Sequence, residues 1–254
     1  MNTDIEAIFL DHGNTLRVVV QDEEFASHAR LELMKLVETK DSQEVFYSKL
    51  EEKWKAYRKW SIECMIESSE KELWTIHLLP DYPYEKIAPL AGRLTRLWRN
   101  KDGRRIPPPD VKPVIQELDK RGYLLGIIAN TITETEIPDW LEEEQLTHYF
   151  KAVVLSSILK IKKPNPEIYW EASRRIGIEP SRCVYVGDNP KRDVVGTRKA
   201  GFGMVILLIS PEKHAKEPPT GETVPDYIIH NCSELLDIFP PRLSHPNCSS
   251  LLSS

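Results

Sequence analysis

The second half of the chain alternates short apolar runs with amphipathic helical segments, and this alternation is the strongest constraint on the fold. The runs are rich in Val, Ile and Leu and are shorter than an ordinary helix, which favours strands. Strands that alternate with helices form a parallel sheet covered on both faces, so the sequence predicts an α/β fold. The predicted strands are Ile5–Leu10, Tyr123–Ala129, Ala152–Leu155, Cys183–Gly187, Met204–Ile209 and Tyr227–Ile229. The predicted helices between them are Val111–Lys120, Ile137–Gln145, Asn165–Ile176 and Asp193–Ala200.

Residues 17–106 interrupt this pattern with long, charged segments that have helical periodicity and almost no strand signal. The triple proline at 107–109 marks the end of the interruption, because a helix cannot run through it. We therefore expect a core domain of residues 1–16 and 107–239, an inserted all-helical domain of residues 17–106, and a disordered tail at 240–254. Two pairs have capping-box spacing at helix starts, Asp41 with Glu44 and Ser69 with Glu72.

Four of the six tryptophans lie in the inserted segment. We expect them to pack between helices, and the alternative is that one or two line a ligand pocket. These tryptophans are Trp54, Trp60, Trp74 and Trp98.

Charge and hydropathy exclude several classes of function. The chain has 254 residues, with 34 Lys and Arg against 39 Asp and Glu, and a net charge of -5. A mildly acidic chain without long basic runs is a poor match for nucleic acid or an anionic membrane surface. No stretch approaches the roughly 18 apolar residues of a membrane span, and the start MNTDIEAIFLDHG lacks the basic region of a signal peptide. We expect a cytoplasmic protein with four reduced cysteines and a small-molecule partner; no feature indicates an oligomeric state.

Polar and charged residues lie at or near the ends of the predicted strands. Asp11 follows the first strand, Asn130 the second and Asp188 a later one, with Lys163 and Asp193 nearby in sequence. The carboxyl ends of parallel strands meet at one edge of the sheet, where such folds bind ligands. A single Asp in such a place often only starts a turn or caps a helix, but that explanation does not account for the whole set. Carboxylates with a lysine suit phosphoryl transfer through an aspartyl-phosphate, assisted by a divalent cation.

These residues, in this order, resemble the motifs of the haloacid dehalogenase superfamily. The resemblance covers residues 1–16 and 107–232, and it implies a Rossmann-like parallel-sheet core with a helical cap inserted after the first strand. The four motifs are Asp11-His12-Gly13-Asn14-Thr15, Ala129-Asn130, Lys163-Pro164, and Gly187-Asp188 with Asp193.

The resemblance also implies roles for individual residues. Asp11 would be the nucleophile, Lys163 would neutralise the phosphate and hold Asp11 ionised, and Thr15 would cap the first loop and help orient Asp11. The backbone N–H groups of His12 and Asn130, with Lys163, would bind the phosphate. The implied cofactor is Mg²⁺, held by Asp11, the backbone carbonyl of Gly13, Asp188 and Asp193.

Two positions depart from the motifs of the superfamily. Gly13 replaces the aspartate that serves its phosphatases as general acid and base, a role that typically contributes 10²–10⁴-fold to the rate. Ala129 replaces a Ser or Thr whose hydroxyl donates to the phosphate. Such a bond to a charged group stabilises by roughly 1.5–3 kcal/mol, and Thr131 is a candidate replacement. His12 has a side chain suited to acid catalysis, but we favour a role for its backbone N–H alone.

Three functions remain open from the sequence. The first is a Mg²⁺-dependent phosphatase acting on a small phosphorylated metabolite. The second is a catalytically degenerate protein that binds a phosphorylated ligand or a protein partner, as the changes at Gly13 and Ala129 suggest. The third is a 2-haloacid dehalogenase, which Gly187-Asp188 argues against because that chemistry needs no metal. Chloride release from 2-chloropropionate in EDTA would favour this third function.

Overall fold

Six parallel strands form the central sheet of the protein, in the order β5-β4-β1-β6-β7-β8. The structure, a computed structural model, describes residues 4–242. Cys248 and most of the predicted tail, residues 243–254, lie outside the described residues. The strands of this sheet are β1 (Ala7–Leu10), β4 (Leu124–Ala129), β5 (Phe150–Leu155), β6 (Cys183–Gly187), β7 (Met204–Leu208) and β8 (Tyr227–Ile229).

Helices cover both faces of the sheet and make up most of the inserted segment. The α-helices are α1 (Glu23–Val37), α2 (Gln43–Cys64), α3 (Glu70–Glu72), α4 (Tyr84–Ile87), α5 (Ala91–Asn100), α6 (Val111–Lys120), α7 (Glu136–Glu143), α8 (Ser156–Leu159), α9 (Pro166–Ile176), α10 (Val195–Lys199), α11 (Pro211–Lys216) and α12 (Leu235–Ile238). Two π-helical turns, Leu73–Leu78 and Pro190–Val194, precede further helices. Within residues 4–242, no helix combines the length and the apolar character needed to cross a membrane.

The predicted parallel α/β sheet is confirmed, and its buried strands explain the continuous apolar runs. Ile8 and Leu10 point into one hydrophobic cluster, whereas Ala7 and Phe9 point into another on the opposite face. Side chains of a strand alternate between faces, so a strand buried on both sides must be apolar throughout. The predicted strand bounds agree with the structure to within two residues, while the predicted helix Asp193–Ala200 starts as a π-helical turn at Pro190.

The first strand occupies the middle of the sheet, and this position brings distant parts of the sequence together. Leu10 at the end of β1 pairs with Ile127 of β4 on one side and with Val186 of β6 on the other. The segments that follow β1, β4 and β6 therefore leave the sheet side by side.

The inserted segment is not entirely helical, which corrects the prediction of an all-helical domain. Its two ends pair as an antiparallel ribbon, β2 (Val18–Val20) with β3 (Arg104–Ile106). Each strand has three residues, and both are partly exposed, so the apolar alternation that marks a strand is absent. The ribbon holds the two connections between the insert and the core next to each other.

The insert has its own hydrophobic cluster, in which aromatic side chains pack among aliphatic ones. Trp74 and Trp98 are buried and meet edge to face, with ring centroids 6.3 Å apart. Packing between helices is therefore confirmed for these two tryptophans. The predicted cap at Ser69 with Glu72 forms in both directions, but the prediction for Asp41 was wrong. Ser42 caps α2 instead, because its hydroxyl lies three residues before the N–H of Val45.

A buried ion pair links the insert to the core. Glu136, at the start of α7, accepts hydrogen bonds from Arg99 of α5, and Arg17 lies 3.4 Å from the same carboxylate. Burial opposes ionisation of Glu136, but the charges of Arg99 and Arg105 prevail and lower its pKa to about 2. The carboxylate is therefore ionised in the folded protein at any pH at which the protein is assayed.

We expect Glu136→Gln to destabilise the protein by about 3 kcal/mol at pH 7, because the variant leaves Arg17 and Arg99 without the carboxylate that they contact. The pKa of Glu136 is lower in the folded state than in the unfolded state, so this contribution is fully present above the unfolded pKa, near 4.5. It is lost as the pH falls toward 2. Urea unfolding at pH 7 and pH 3 measures both effects. Glu142→Gln, an exposed change on the same helix, should shift stability by less than about 0.5 kcal/mol; a constant Glu136→Gln difference across this range would contradict the assignment.

Candidate active site

Asp11, Lys163 and Asp193 form a buried ion cluster at the carboxyl edge of the sheet. Lys163 Nζ lies 3.0 Å from Asp11 Oδ1 and 3.1 Å from Asp193 Oδ1, and all three side chains are almost fully buried. Lys163 Nζ also contacts the hydroxyl of Tyr185, whose own proton is donated to the carbonyl of Ile128. The lysine is therefore fixed between two carboxylates, which neutralise its charge inside the protein.

The loop after β6 holds Asp193 in place. Asp193 Oδ2 accepts hydrogen bonds from the backbone N–H groups of Asp188 and Asn189, at 3.1 and 2.9 Å. Gly187 is needed for this arrangement, because a Cβ atom there would lie 2.5 Å from Asp193 Oδ2. The predicted Gly187-Asp188 motif with Asp193 therefore forms one unit, in which the glycine makes room for the second aspartate.

Arg192 is a member of the site that the sequence analysis did not predict. Its Nη2 atom lies 3.0 Å from Asp11 Oδ2 and 3.1 Å from Asp188 Oδ1, and its Nε atom donates to Asp193 Oδ1 at 3.0 Å. One guanidinium thus contacts all three carboxylates. The four-residue spacing of Asp188 and Arg192 on a helical turn was a usable signal for one of these contacts.

The charges around the cluster set the protonation of its carboxylates. Burial raises the pKa of Asp11, although the charges of Lys163 and Arg192 act in the opposite direction. Burial also opposes ionisation of Asp193, but there the same two cations prevail and hold its pKa at about 2. Arg192 has a raised pKa because Asp193 and Asp11 outweigh the effect of its burial. The site therefore contains an ionised Asp193 and a permanently charged arginine.

The carboxylates of Asp11, Asp188 and Asp193 offer oxygen atoms that lie within 4.8 Å of one another. Such a set of hard oxygen donors fits Mg²⁺. Asn14 Nδ2 donates to Asp188 Oδ2 at 3.0 Å, and Lys213 Nζ donates to the backbone carbonyl of Asp188 at 2.9 Å. Arg192 Nη2 donates to Asp11 Oδ2 and Asp188 Oδ1, so a cation bound by these two oxygens would compete with the guanidinium.

The Asn130 side chain fixes the backbone of Lys163. Its Oδ1 accepts from Lys163 N–H at 2.8 Å, and its Nδ2 donates to the Lys163 carbonyl at 2.9 Å. Asn130 follows β4, and β4 lies next to β1 in the sheet. This pair of hydrogen bonds therefore holds Lys163 close to Asp11, which follows β1. Asn130 was predicted for its backbone N–H, and the structure adds this positioning contact.

Sequence comparison assigns the family. The profile described as haloacid dehalogenase-like hydrolase matches residues 14–207. The chain belongs to the haloacid dehalogenase-like hydrolases. This confirms the predicted family. The match begins at Asn14, so it includes only the last two residues of the first motif.

Curated relatives and solved structures agree with the assignment. A glyceraldehyde 3-phosphate phosphatase of Methanopyrus kandleri is 37% identical over 135 residues, 52% of this chain and 56% of that protein, so the match spans about half of that relative. An N-acylneuraminate-9-phosphatase of Mus musculus is 25% identical over 98% of both chains. The fold is similar to that of a 2-haloacid dehalogenase from Pseudomonas syringae pv. Tomato, with a TM-score of 0.68 and 22% identity over 92% of this chain and 97% of that one. A HAD phosphatase from Thermococcus onnurineus has a TM-score of 0.59 at 22% identity, covering 94% and 99%.

The His12 side chain of this hydrolase is buried away from solvent and packs edge-on against Trp140, with ring centroids 5.4 Å apart. Burial and the nearby Arg99 lower its pKa to about 3, so the imidazole is neutral at physiological pH and holds no acidic proton to give. Its backbone N–H, which was predicted to bind phosphate, donates to Asp11 Oδ1 at 2.8 Å. In this structure the N–H therefore orients Asp11.

Two other members of the predicted first motif differ in how they fit. A Cβ atom on Gly13 would have no neighbour within 4 Å, so the position has room for a side chain. Thr15 is buried, and its hydroxyl has no hydrogen-bond partner in residues 4–242. The predicted Thr15 cap is therefore not formed. The loop is instead closed by the carbonyl of His12, which accepts from the N–H groups of Leu16 and Arg17 at 3.0 Å.

Ala129 ends β4 within the hydrophobic cluster, where it offers no polar group. Thr131, the candidate replacement for the missing hydroxyl, is buried and accepts a hydrogen bond from the N–H of Thr133 at 3.2 Å. Thr131 also lines the adjacent cavity, and among residues 4–242 its hydroxyl donates no hydrogen bond.

A cavity of about 670 Å³ lies between the insert and the core, next to the ion cluster. Lys163, Asn130 and Arg192 form part of its core wall, while Trp54 and Trp98 come from the insert. Trp54 and Trp98 therefore also agree with the alternative prediction that one or two tryptophans line a pocket. The cavity is strongly basic: its cationic lining residues are Arg58, Arg99, Lys101, Arg105, Lys162, Lys163, Lys191 and Arg192, and its acidic ones are Glu67 and Asp102.

Proposed function

We propose that this protein is a Mg²⁺-dependent phosphatase that hydrolyses a small phosphorylated metabolite through an aspartyl-phosphate on Asp11. The observation that carries the proposal is the contact of Lys163, which lines the basic cavity, with both Asp11 and Asp193. A third carboxylate, that of Asp188, lies close to these two. The phosphatase names of the relatives support it, since those proteins are a glyceraldehyde 3-phosphate phosphatase and an N-acylneuraminate-9-phosphatase.

In the first step, an oxygen of Asp11 attacks phosphorus, and the bond from phosphorus to the ester oxygen breaks. The leaving alcohol takes a proton, and the phosphoryl group remains on Asp11. Lys163 favours the ionised, nucleophilic form of Asp11 and adds positive charge where the phosphate must lie. The N–H of Asn130 is available for a phosphate oxygen, while that of His12 holds Asp11 at 2.8 Å.

In the second step, a water molecule attacks phosphorus, the bond to Asp11 breaks, and inorganic phosphate is released with Asp11 restored. The residues that would hold Mg²⁺ are Asp11, the carbonyl of Gly13, Asp188 and Asp193. When bound, Mg²⁺ supplies positive charge that offsets the charge of the phosphate. Because Gly13 carries no carboxylate, this position supplies no proton to the leaving alcohol, and we assign that proton to water.

The position of Arg192 gives a prediction about metal affinity. We expect Arg192→Gln to bind Mn²⁺, a metal with the same preference for oxygen ligands, about 10-fold to 100-fold more tightly than the unchanged protein. The variant removes a guanidinium whose charge-assisted hydrogen bonds to the ligand oxygens, each worth roughly 1.5–3 kcal/mol, must be broken before the metal enters. Titration of free Mn²⁺ by electron paramagnetic resonance measures this affinity without any turnover.

Lys199→Gln is the matched control, because it removes one exposed positive charge from the following helix without touching the cluster. It should change Mn²⁺ affinity by less than about twofold. Equal or weaker Mn²⁺ binding by Arg192→Gln would show that the arginine does not compete with the metal.

The proposed function is tested by phosphate release from a panel of phosphorylated metabolites and p-nitrophenyl phosphate, with Mg²⁺ or with EDTA. We expect release with Mg²⁺ and none with EDTA. Absence of release from every compound would overturn the proposal. Calorimetric binding of a phosphorylated ligand without turnover would then favour the degenerate binding protein.

A further inference from the structure

The cavity beside the ion cluster contains more positive charge than the reacting phosphate accounts for. Several of its cations are already paired: Lys162 lies 2.8 Å from Glu67, Lys101 lies 2.8 Å from Asp102, and Arg99 contacts Glu136. Lys163 and Arg192 belong to the ion cluster described above.

Arg58, Arg105 and Lys191 are different, because none of them forms an ion pair with a carboxylate among residues 4–242. Arg58 and Arg105 both come from the insert, the first from α2 and the second from β3. They therefore belong to the part of the cavity wall that the insert supplies, whereas the residues that would take the reacting phosphate belong to the core. A substrate held by both walls presents its leaving group to these two arginines.

Arg105 is the more demanding of the two because it is partly buried. Its Nη1 donates to the carbonyl of Arg99 at 2.6 Å, and the carbonyl of Arg105 accepts from Arg17, so the residue is fixed in the ribbon. Burial and the neighbouring Arg99 lower its pKa to about 10, although the charge of Glu136 acts in the opposite direction. A partly buried cation that forms no ion pair with a carboxylate is unfavourable, and an anionic ligand relieves that cost.

Arg58 adds a second donor to the part of the cavity wall that the insert supplies. Its guanidinium lies 5.8 Å from the centre of the Trp54 ring, which also lines the cavity. Arginine presents a planar set of donors that matches carboxylate and phosphate oxygens.

We propose that Arg105 and Arg58 bind a second anionic group, so that the substrate is a phosphate monoester bearing a carboxylate or a second phosphate in its leaving group. This proposal rests on the proposed phosphatase function, since it assigns the other end of the same substrate. It predicts that a phosphorylated acid binds better than the corresponding phosphorylated alcohol.

The test compares 6-phosphogluconate with glucitol 6-phosphate, which have the same carbon chain and differ in one terminal carboxylate. Calorimetry with the full-length Asp11→Asn variant in Mg²⁺ measures binding without hydrolysis. We expect the Kd of the acid to be at least about 10-fold lower, the value of one charge-assisted contact. The shorter pair, 3-phosphoglycerate and glycerol 3-phosphate, repeats the comparison at a second chain length.

Adding Arg105→Gln should reduce this preference to less than about threefold, and Arg105→Lys should keep part of it. Circular dichroism and thermal melting check that these variants fold. Arg58→Gln is the second variant of the anion site, and it changes an exposed residue of α2. Lys59→Gln removes a neighbouring charge outside the cavity and should leave the ratio of the two Kd values unchanged.

Equal binding of acid and alcohol, a preference that survives both Arg105→Gln and Arg58→Gln, or no binding of either pair would overturn the second anion site. Equal binding combined with phosphate release would leave the phosphatase function standing. Conversely, a preference for the acid that depends on Arg105, without phosphate release by the unchanged protein, would support the anion site and count against the phosphatase.

Discussion

Asp11→Asn should reduce kcat/KM for phosphorylated substrates by 10³-fold or more, on the order of the loss seen when an enzyme's nucleophile is removed. An amide cannot attack phosphorus as a carboxylate does, and it lacks the charge that Lys163 contacts at 3.0 Å. The measurement is phosphate release at saturating Mg²⁺, with circular dichroism to show that the fold is retained. Asp11→Ala should give the same loss.

Asp237→Asn is the control for Asp11→Asn. Asp237 is an aspartate on α12 that is exposed to solvent and does not belong to the buried ion cluster. It should leave kcat/KM within about twofold of the unchanged protein. Retention of more than a tenth of the activity by both Asp11 variants would remove this residue as the nucleophile.

Gly13→Asp should raise kcat by about 100-fold for alkyl phosphates, the lower end of what general acid–base catalysis contributes. Gly13 is exposed, and a Cβ atom there would meet no atom within 4 Å. The φ angle of Gly13 is not positive, so the backbone also accepts a residue with a side chain. The new carboxyl group would protonate the leaving alcohol and then activate water. The gain should be much smaller for p-nitrophenyl phosphate, whose leaving group needs no proton.

Gly13→Asn is the matched control for this gain, since it has nearly the same shape but no proton to transfer. It should give no increase in kcat. A similar increase with Asn, or no increase with Asp on alkyl phosphates, would show that the missing acid does not limit the reaction.

The sheet and its functional edge could be predicted because they depend on short-range patterns. A strand buried on both faces is apolar throughout, so each strand can be recognised by its apolar run. Asp11, Asn130 and Asp188 follow three such strands, which are neighbours in the sheet. Lys163 and Asp193 were found by motif, and the structure brings both within 3.1 Å of one another.

The parts that the sequence did not predict depend on long-range contacts or on weak local signals. The ribbon strand Val18–Val20 has three partly exposed residues and pairs with a segment more than eighty positions away. In the sequence, Arg192 resembles an ordinary charged residue on the solvent-facing side of a helix. Only the folded sheet brings it to Asp11, 181 positions away. Arg58 and Arg105, which form no ion pair within residues 4–242, also come to one cavity only in the folded protein.

The most direct test of the proposed mechanism is to trap the covalent intermediate during turnover. Borohydride reduces an acyl phosphate of aspartate to homoserine, and mass spectrometry of the peptide that contains residue 11 locates the change. We predict reduction at Asp11 only when both Mg²⁺ and a phosphorylated substrate are present. Phosphate release with an unmodified Asp11, or reduction at another carboxylate such as Asp188, would contradict nucleophilic catalysis by Asp11.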